Sequence, residues 1–338
     1  MLMLKHPIGF FTAWTISFSQ SRWRQCAKSA CRCDSTRRSL NCWRAGITTL
    51  TPDLIVPADL VNMRLQRNYL EEIDSHAFRS TKKLFHVDLS NNFLYSLPEK
   101  LFANNSFLET IDISNNHIMY MPSDSFLTGV EFEKLKLLRT LDLKDNALIE
   151  LPDHTFSNCT NLEKLDLSKN KLRFLNVTTF LGLENLTSLL LSENKLFEVH
   201  FKTFSTLKNL TTLHLDNNMF PSLPSRTLDY MPKLAIVKLS SNPWHCDCHA
   251  LYISAWVRLN EMKIWDYSPT CVSPWYLEGH FLKKLKFPEL CAGQWASMVN
   301  LSPRLPIQHL LALNVSVNRK PQDSMEQNHD VTTIDAWH

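Results

Sequence analysis

Leucines recur along this chain in a fixed figure, L-x-x-L-x-L, with polar residues between them. Segments beginning at Leu60, Leu84, Leu108, Leu138, Leu162, Leu186, Leu210 and Leu234 align without gaps, from LVNMRLQRNYL to LAIVKLSSNPW. The spacing is 24 residues, apart from one unit of 30 that carries six extra residues near Gly129 to Leu135. A second register runs beside the first. Eighteen positions after the starting leucine come Phe78, Phe102, Phe126, Phe156, Phe180 and Phe204, with Leu228 in the seventh place. Alternation with period two predicts a short strand in each unit, leucines facing inward. One unit cannot bury its own leucines. Stacking gives each strand a parallel neighbour and makes the core continuous.

A third column, Asn68, Asn92, Asn116, Asn146, Asn170, Asn194, Asn218 and Asn242, falls where the chain turns out of each strand. A side-chain amide donates and accepts at once, which suits backbone groups that such a turn would leave buried and unpaired. The phenylalanines supply large apolar rings to fill the far side of each unit. Leu97-Pro98, Met121-Pro122, Leu151-Pro152 and Leu223-Pro224 mark where that far side begins, since proline needs no ladder partner.

The nine cysteines fall mainly into two groups. Cys26, Cys31, Cys33 and Cys42 precede the first unit; Cys246, Cys248, Cys271 and Cys291 follow the last. Two sets of four match two disulfides apiece, with three connectivities open to each set. The motif HCDCH raises zinc as a rival, but C-x-C is tight for a metal and Cys271 and Cys291 stand far off and singly. The N-terminus, with Lys5, an apolar run from Ile8 to Phe18 and Ser17 and Ser19 at small-x-small spacing, reads as a secretion signal over 1–20. That setting favours oxidised sulfur. Thr12 and Thr15 weaken the run, which is too short to span a bilayer. No later segment supplies the apolar length of a membrane helix.

These columns identify the chain as a member of the leucine-rich repeat family in its extracellular 24-residue form. The resemblance covers about residues 26–291. It implies an α/β fold: a solenoid with short parallel strands lining a concave face, closed at both ends by disulfide-bonded caps. CAKSACRCDSTRRSLNC is similar to the family's N-terminal cysteine cap, with slightly longer first and last gaps. NPWHCDC, followed by a tryptophan, Cys271 and Cys291, is similar to the C-terminal cap of Slit, peroxidasin and Toll-type ectodomains. By that resemblance the pairs are Cys26–Cys33, Cys31–Cys42, Cys246–Cys271 and Cys248–Cys291. The expected organisation is a signal peptide at 1–20, an N-terminal cap at 21–59, repeats at 60–241, a C-terminal cap at 242–291 and a disordered tail at 292–338.

The totals narrow the chemistry. A net charge of +3 gives no argument for nucleic acid. Six glycines and no G-x-G-x-x-G or G-x-x-x-x-G-K leave little from which to build a phosphate loop. No H-E-x-x-H or G-x-S-x-G occurs, and the histidines fall in unrelated columns. We therefore expect neither an enzyme nor a cofactor or metal.

Binding surfaces are better supplied. The central outward position of each strand reads Arg64, Asp88, Asp112, Asp142, Asp166, Leu190, His214 and Lys238, an acidic stripe with positive ends. Leu190, with Ile236 in the neighbouring column, is expected to be exposed and apolar on a polar face, the makings of a hot spot for a protein partner. The rival reading is that these aspartates are occupied by neighbouring serines and threonines. The first cap is basic, with Arg22, Arg24, Arg37 and Arg38, and Lys283 and Lys284 add a second cluster. Such charge suits a heparan-type glycosaminoglycan. Sequons at Asn104, Asn158, Asn176, Asn185, Asn209 and Asn314 fit a secreted glycoprotein, while Asn300 is weakened by Pro303. Cys159 is left over and reads as a small buried apolar residue.

The expectation is a secreted protein that binds an extracellular ligand or receptor through its concave face. Alternatives are a matrix component that binds sulfated glycosaminoglycan and a soluble form of a membrane receptor ectodomain.

Overall fold

The computed structural model describes residues 31–51, 57–98, 100–121 and 135–291. The expected signal peptide and tail, Cys26, Phe126 and most of the six-residue insertion lie outside the described residues.

Ten short strands form one sheet: Arg32–Asp34, Ser39–Asn41, Asn62–Arg64, His86–Asp88, Thr110–Asp112, Thr140–Asp142, Lys164–Asp166, Ser188–Leu190, Thr212–His214 and Ile236–Lys238. They neighbour one another in sequence order. The first two make an antiparallel hairpin, and every later pairing is parallel and in register. In each repeat the middle residue points inward and is fully buried, from Met63 to Val237. Burying such a side chain stabilises by about 1.5–3 kcal/mol. Only a stacked neighbour on each side excludes water from it.

The asparagine column forms a continuous ladder. Asn92 Nδ2 donates to the carbonyls of Leu65 and Leu89 at 3.0 and 2.9 Å, and its Oδ1 accepts from Leu70 N at 3.1 Å. The same bonds recur through Asn242, whose Oδ1 accepts from Phe220 N. Each amide thus joins two repeats by backbone groups alone, so any residue fits around it. The residue before each asparagine adopts positive φ, including Arg67, Lys169 and Glu193 at 56–57°. The ladder holds the chain there despite the cost to side chains with Cβ. The phenylalanines stack behind the sheet, Phe78 on Phe102 at 5.0 Å and Phe180 on Phe204 at 6.0 Å.

Both ends are closed. Cys31 bonds Cys42 at the first cap; Cys246 bonds Cys271 and Cys248 bonds Cys291 at the second. Cys33 is also disulfide-bonded. The helix Leu251–Leu259 lies over the last repeat with seven consecutive buried residues. Tyr252 Oη donates to Asp229 and accepts from Leu228 N at 2.9 Å, pinning helix to repeat. Trp244, 1 % exposed, donates through Nε1 to Leu239 O of the last repeat. His245 bonds Ser273 Oγ and His249 bonds Asp247 beside the oxidised sulfurs.

Candidate functional site

Register places the outward residues of the sheet in straight rows, about 4.8 Å apart from strand to strand. One row runs Arg32, Asn41, Arg64, Asp88, Asp112, Asp142, Asp166, Leu190, His214, Lys238. All eight repeat positions singled out from the sequence therefore share one face. The cap extends the row. Ile264 bridges Val237 in parallel, and Trp265 N donates to Val237 O at 3.0 Å, so Trp265 follows Lys238 in the row. Trp265 is 65 % exposed.

The aspartates are partly occupied. Asp88 Oδ1 accepts from the Ser90 amide and hydroxyl, Asp112 Oδ1 from those of Ser114, Asp142 from Lys144 N and Asp166 from Ser168 N. One oxygen of each carboxylate orients the turn below it; none of these bonds uses the second. Asn41 does the same job in the cap, accepting from Trp43 N. Asp166 is only 6 % exposed, buried against expectation. At Asp142 burial pushes the carboxyl up to about 6, helped by the charges of Asp112 and Asp166 on the flanking strands. Burial also lowers the pKa of His86, and that of His214, where Lys238 adds to it.

Two expectations change. Leu190 and Ile236 are half-buried, not exposed, because neighbours at 4.8 Å spacing cover their flanks. Trp265 is the exposed apolar residue that continues the row at this end, and sequence columns missed it since it belongs to no repeat. A second miss lies on the flank below the asparagine ladder. There Tyr69 stacks on Phe93 at 6.0 Å, and His117 meets Phe93 edge-on at 5.8 Å. The column was visible as the residue after each asparagine, but nothing in its chemistry demanded stacking.

The basic groups divide. Arg37 and Arg38 are exposed, though Arg37 lies 3.6 Å from Asp34 and Arg38 lies 3.9 Å from Asp59. Lys283 is half-buried with its ammonium on Glu261, and Lys284 stands over Phe281 at 5.3 Å. Arg22 and Arg24 lie outside the described residues. The sequon asparagines at 104, 158, 176, 185 and 209 all sit in turns or coil. Asn104, Asn176 and Asn185 are exposed, and Asn158 and Asn209 are half-buried. Asn185 and Asn209 each donate to a carbonyl one repeat back. Asn314 lies outside the described residues.

Comparisons agree with this architecture. The family profile described as Leucine rich repeat matches residues 58–118, 136–196 and 184–243. Carboxypeptidase N subunit 2 of Mus musculus is 40 % identical over 52 residues, 15 % of this chain and 10 % of its own length. The chain thus spans about a tenth of that curated relative. Among solved structures, human 5T4 (Wnt-activated inhibitory factor 1, Trophoblast glycoprotein) matches 78 % of this chain and 97 % of its own at TM-score 0.61 and 24 % identity. A chain in the octameric complex of Latrophilin 3, Unc5D and FLRT2 matches 79 % of this chain and 99 % of its own at TM-score 0.57 and 19 % identity. A chain of the TLR13–ssRNA13 complex matches 60 % of this chain and 29 % of its own at TM-score 0.53 and 29 % identity. The matched repeats, the asparagine ladder and the capped parallel sheet make this chain a member of the leucine-rich repeat family.

Proposed function

We propose that the chain is an extracellular recognition protein that binds another protein on its sheet face, between Arg64 and Trp265. One observation carries the reading. The outward row ends in a cluster built for contact, where Trp265 adjoins Lys238 and Ile236 lies beside it, with Leu190 two strands away. Tryptophan is among the residue types enriched at the energetic anchors of protein interfaces. Oxidised caps fit an exported chain. The sequons at Asn104, Asn158, Asn176, Asn185 and Asn209 leave this row bare, and with Asn314 we take them as glycan acceptors. The solved complex of FLRT2 with Latrophilin 3 and Unc5D sets a precedent for partner binding within this fold.

Screening the secreted chain against a panel of receptor ectodomains tests the proposal. A partner captured by the native chain is expected to bind at least tenfold more weakly to Trp265→Ala and to Leu190→Arg. Equal capture by both variants would remove this end of the sheet from the interface.

Glycosaminoglycan binding is the second reading, favoured by the exposed arginines of the first cap. It requires elution from heparin that depends steeply on salt. A receptor ectodomain is the third. No helix among the described residues is long and apolar enough to cross a membrane.

A further inference from the structure

We propose that the N-terminal end of the sheet face is a pocket for carboxylate side chains of the protein partner, gripped by Arg32 and Arg64. The register carries the proposal. Arg32 stands opposite Asn41 in the cap hairpin, and Asn41 stands opposite Arg64 in the first repeat. The two arginines therefore lie on one face, two strand steps or about 10 Å apart. A cavity of about 540 Å³ opens there, lined also by Asp34, Arg37, Asn41 and Asn62.

Its charge is not spent internally. Both Arg32 and Arg64 are exposed, and neither carries an ion pair among the described residues. The acidic group in the cavity is Asp34, and it is already engaged. Its Oδ1 accepts from Thr36 N, Thr36 Oγ1 and Arg37 N at 3.0, 2.6 and 3.0 Å, and Arg37 Nε lies 3.6 Å from its other oxygen. The Thr36 hydroxyl above all holds this carboxyl below its usual range. Two planar guanidiniums remain, each with paired N–H groups that match a carboxylate. Asn41 Oδ1 accepts from Trp43 N, and the Asn41 NH₂ is left as a further donor.

The order of charges along the row favours a polypeptide over a sulfated polysaccharide. One strand beyond Arg64 begins the run Asp88, Asp112, Asp142 and Asp166. A chain with an anionic group on every sugar meets like charge at its next step. A polypeptide can place glutamates at the arginines and lysines about 15 Å further on, a span that four or five extended residues cover.

The proposal rests on the sheet face being the partner surface, yet it fails separately, because its test uses a synthetic probe. A blocked hexapeptide, Glu-Glu-Gly-Gly-Lys-Lys, is titrated calorimetrically into the secreted full chain at low ionic strength. The native chain is expected to bind it at least tenfold more tightly than the Arg32→Ser/Arg64→Ser double variant, and tenfold more tightly than it binds Gln-Gln-Gly-Gly-Lys-Lys. Lys82→Ser/Lys83→Ser, with the same change in net charge, is expected to bind as the native chain does. Both arginines are exposed, so an unchanged unfolding midpoint is expected for the double variant. Equal affinity of native chain and double variant overturns the proposal. So does a heparin octasaccharide that binds through the two arginines when the hexapeptide does not.

Discussion

The Asp266 carboxylate accepts the Leu239 amide at 2.8 Å, and the same oxygen accepts the Ser240 amide at 2.7 Å. In the repeats, the amide equivalent to that of Leu239 donates to a carbonyl of the next strand, as Leu215 N does to Lys238 O. The last repeat has no next strand at that point, and one side chain substitutes for it. An exposed ladder edge is a template for unwanted pairing, so this contact closes the sheet as well as satisfying it.

Asp266→Ala is expected to lower stability by about 2–4 kcal/mol, since two amides lose a charged acceptor. Asp266→Asn keeps an oxygen and is expected to cost less. Denaturant unfolding checks the order of the three proteins. Hydrogen exchange should place the loss at Leu239 and Ser240 first, because repeats are stabilised by their immediate neighbours.

Asp142 predicts a pH dependence of opposite sign to that of an ordinary paired carboxylate. Its folded pKa of about 6 lies above the 3.8 expected unfolded, so folding takes up a proton between those values. Its contribution is favourable below the unfolded pKa and is lost as pH rises through about 6. Two units correspond to about 3 kcal/mol, which partial exposure and screening reduce to about 1–2 kcal/mol. Asp142→Asn retains the oxygen that accepts from Lys144 N. It is expected to be more stable than the native chain by that amount at neutral pH, with the gap closing near about pH 3. Unfolding midpoints across pH measure it; a constant gap would sink the assignment.

Cys159 is fully buried and unpaired, and burial pushes its thiol up to about 12. A thiol so held offers almost no thiolate to a reagent. Iodoacetamide at pH 8 is expected to leave the folded chain unmodified, and to add one label in denaturant without reductant. Mass spectrometry reads the count; labelling of the folded chain would contradict the burial.

The sequence by itself determined the repeat, its register and its closure. Leucine, asparagine and phenylalanine recur because each repeat places the same residue in the same environment, so eight copies speak for one fold. Even the partial satisfaction of the aspartates was legible, as Ser90 and Ser114 stand two residues beyond Asp88 and Asp112. Tertiary structure alone decided how the ends behave. Arg32 and Trp265 join the row, and Asp266 reaches the last strand, only because the caps bring non-repeating chain beside the first and last strands, and no period announces that. It also decided exposure: Asp166 and Leu190 occupy equivalent outward positions, but how much water reaches each depends on side chains 24 residues away that only stacking makes neighbours.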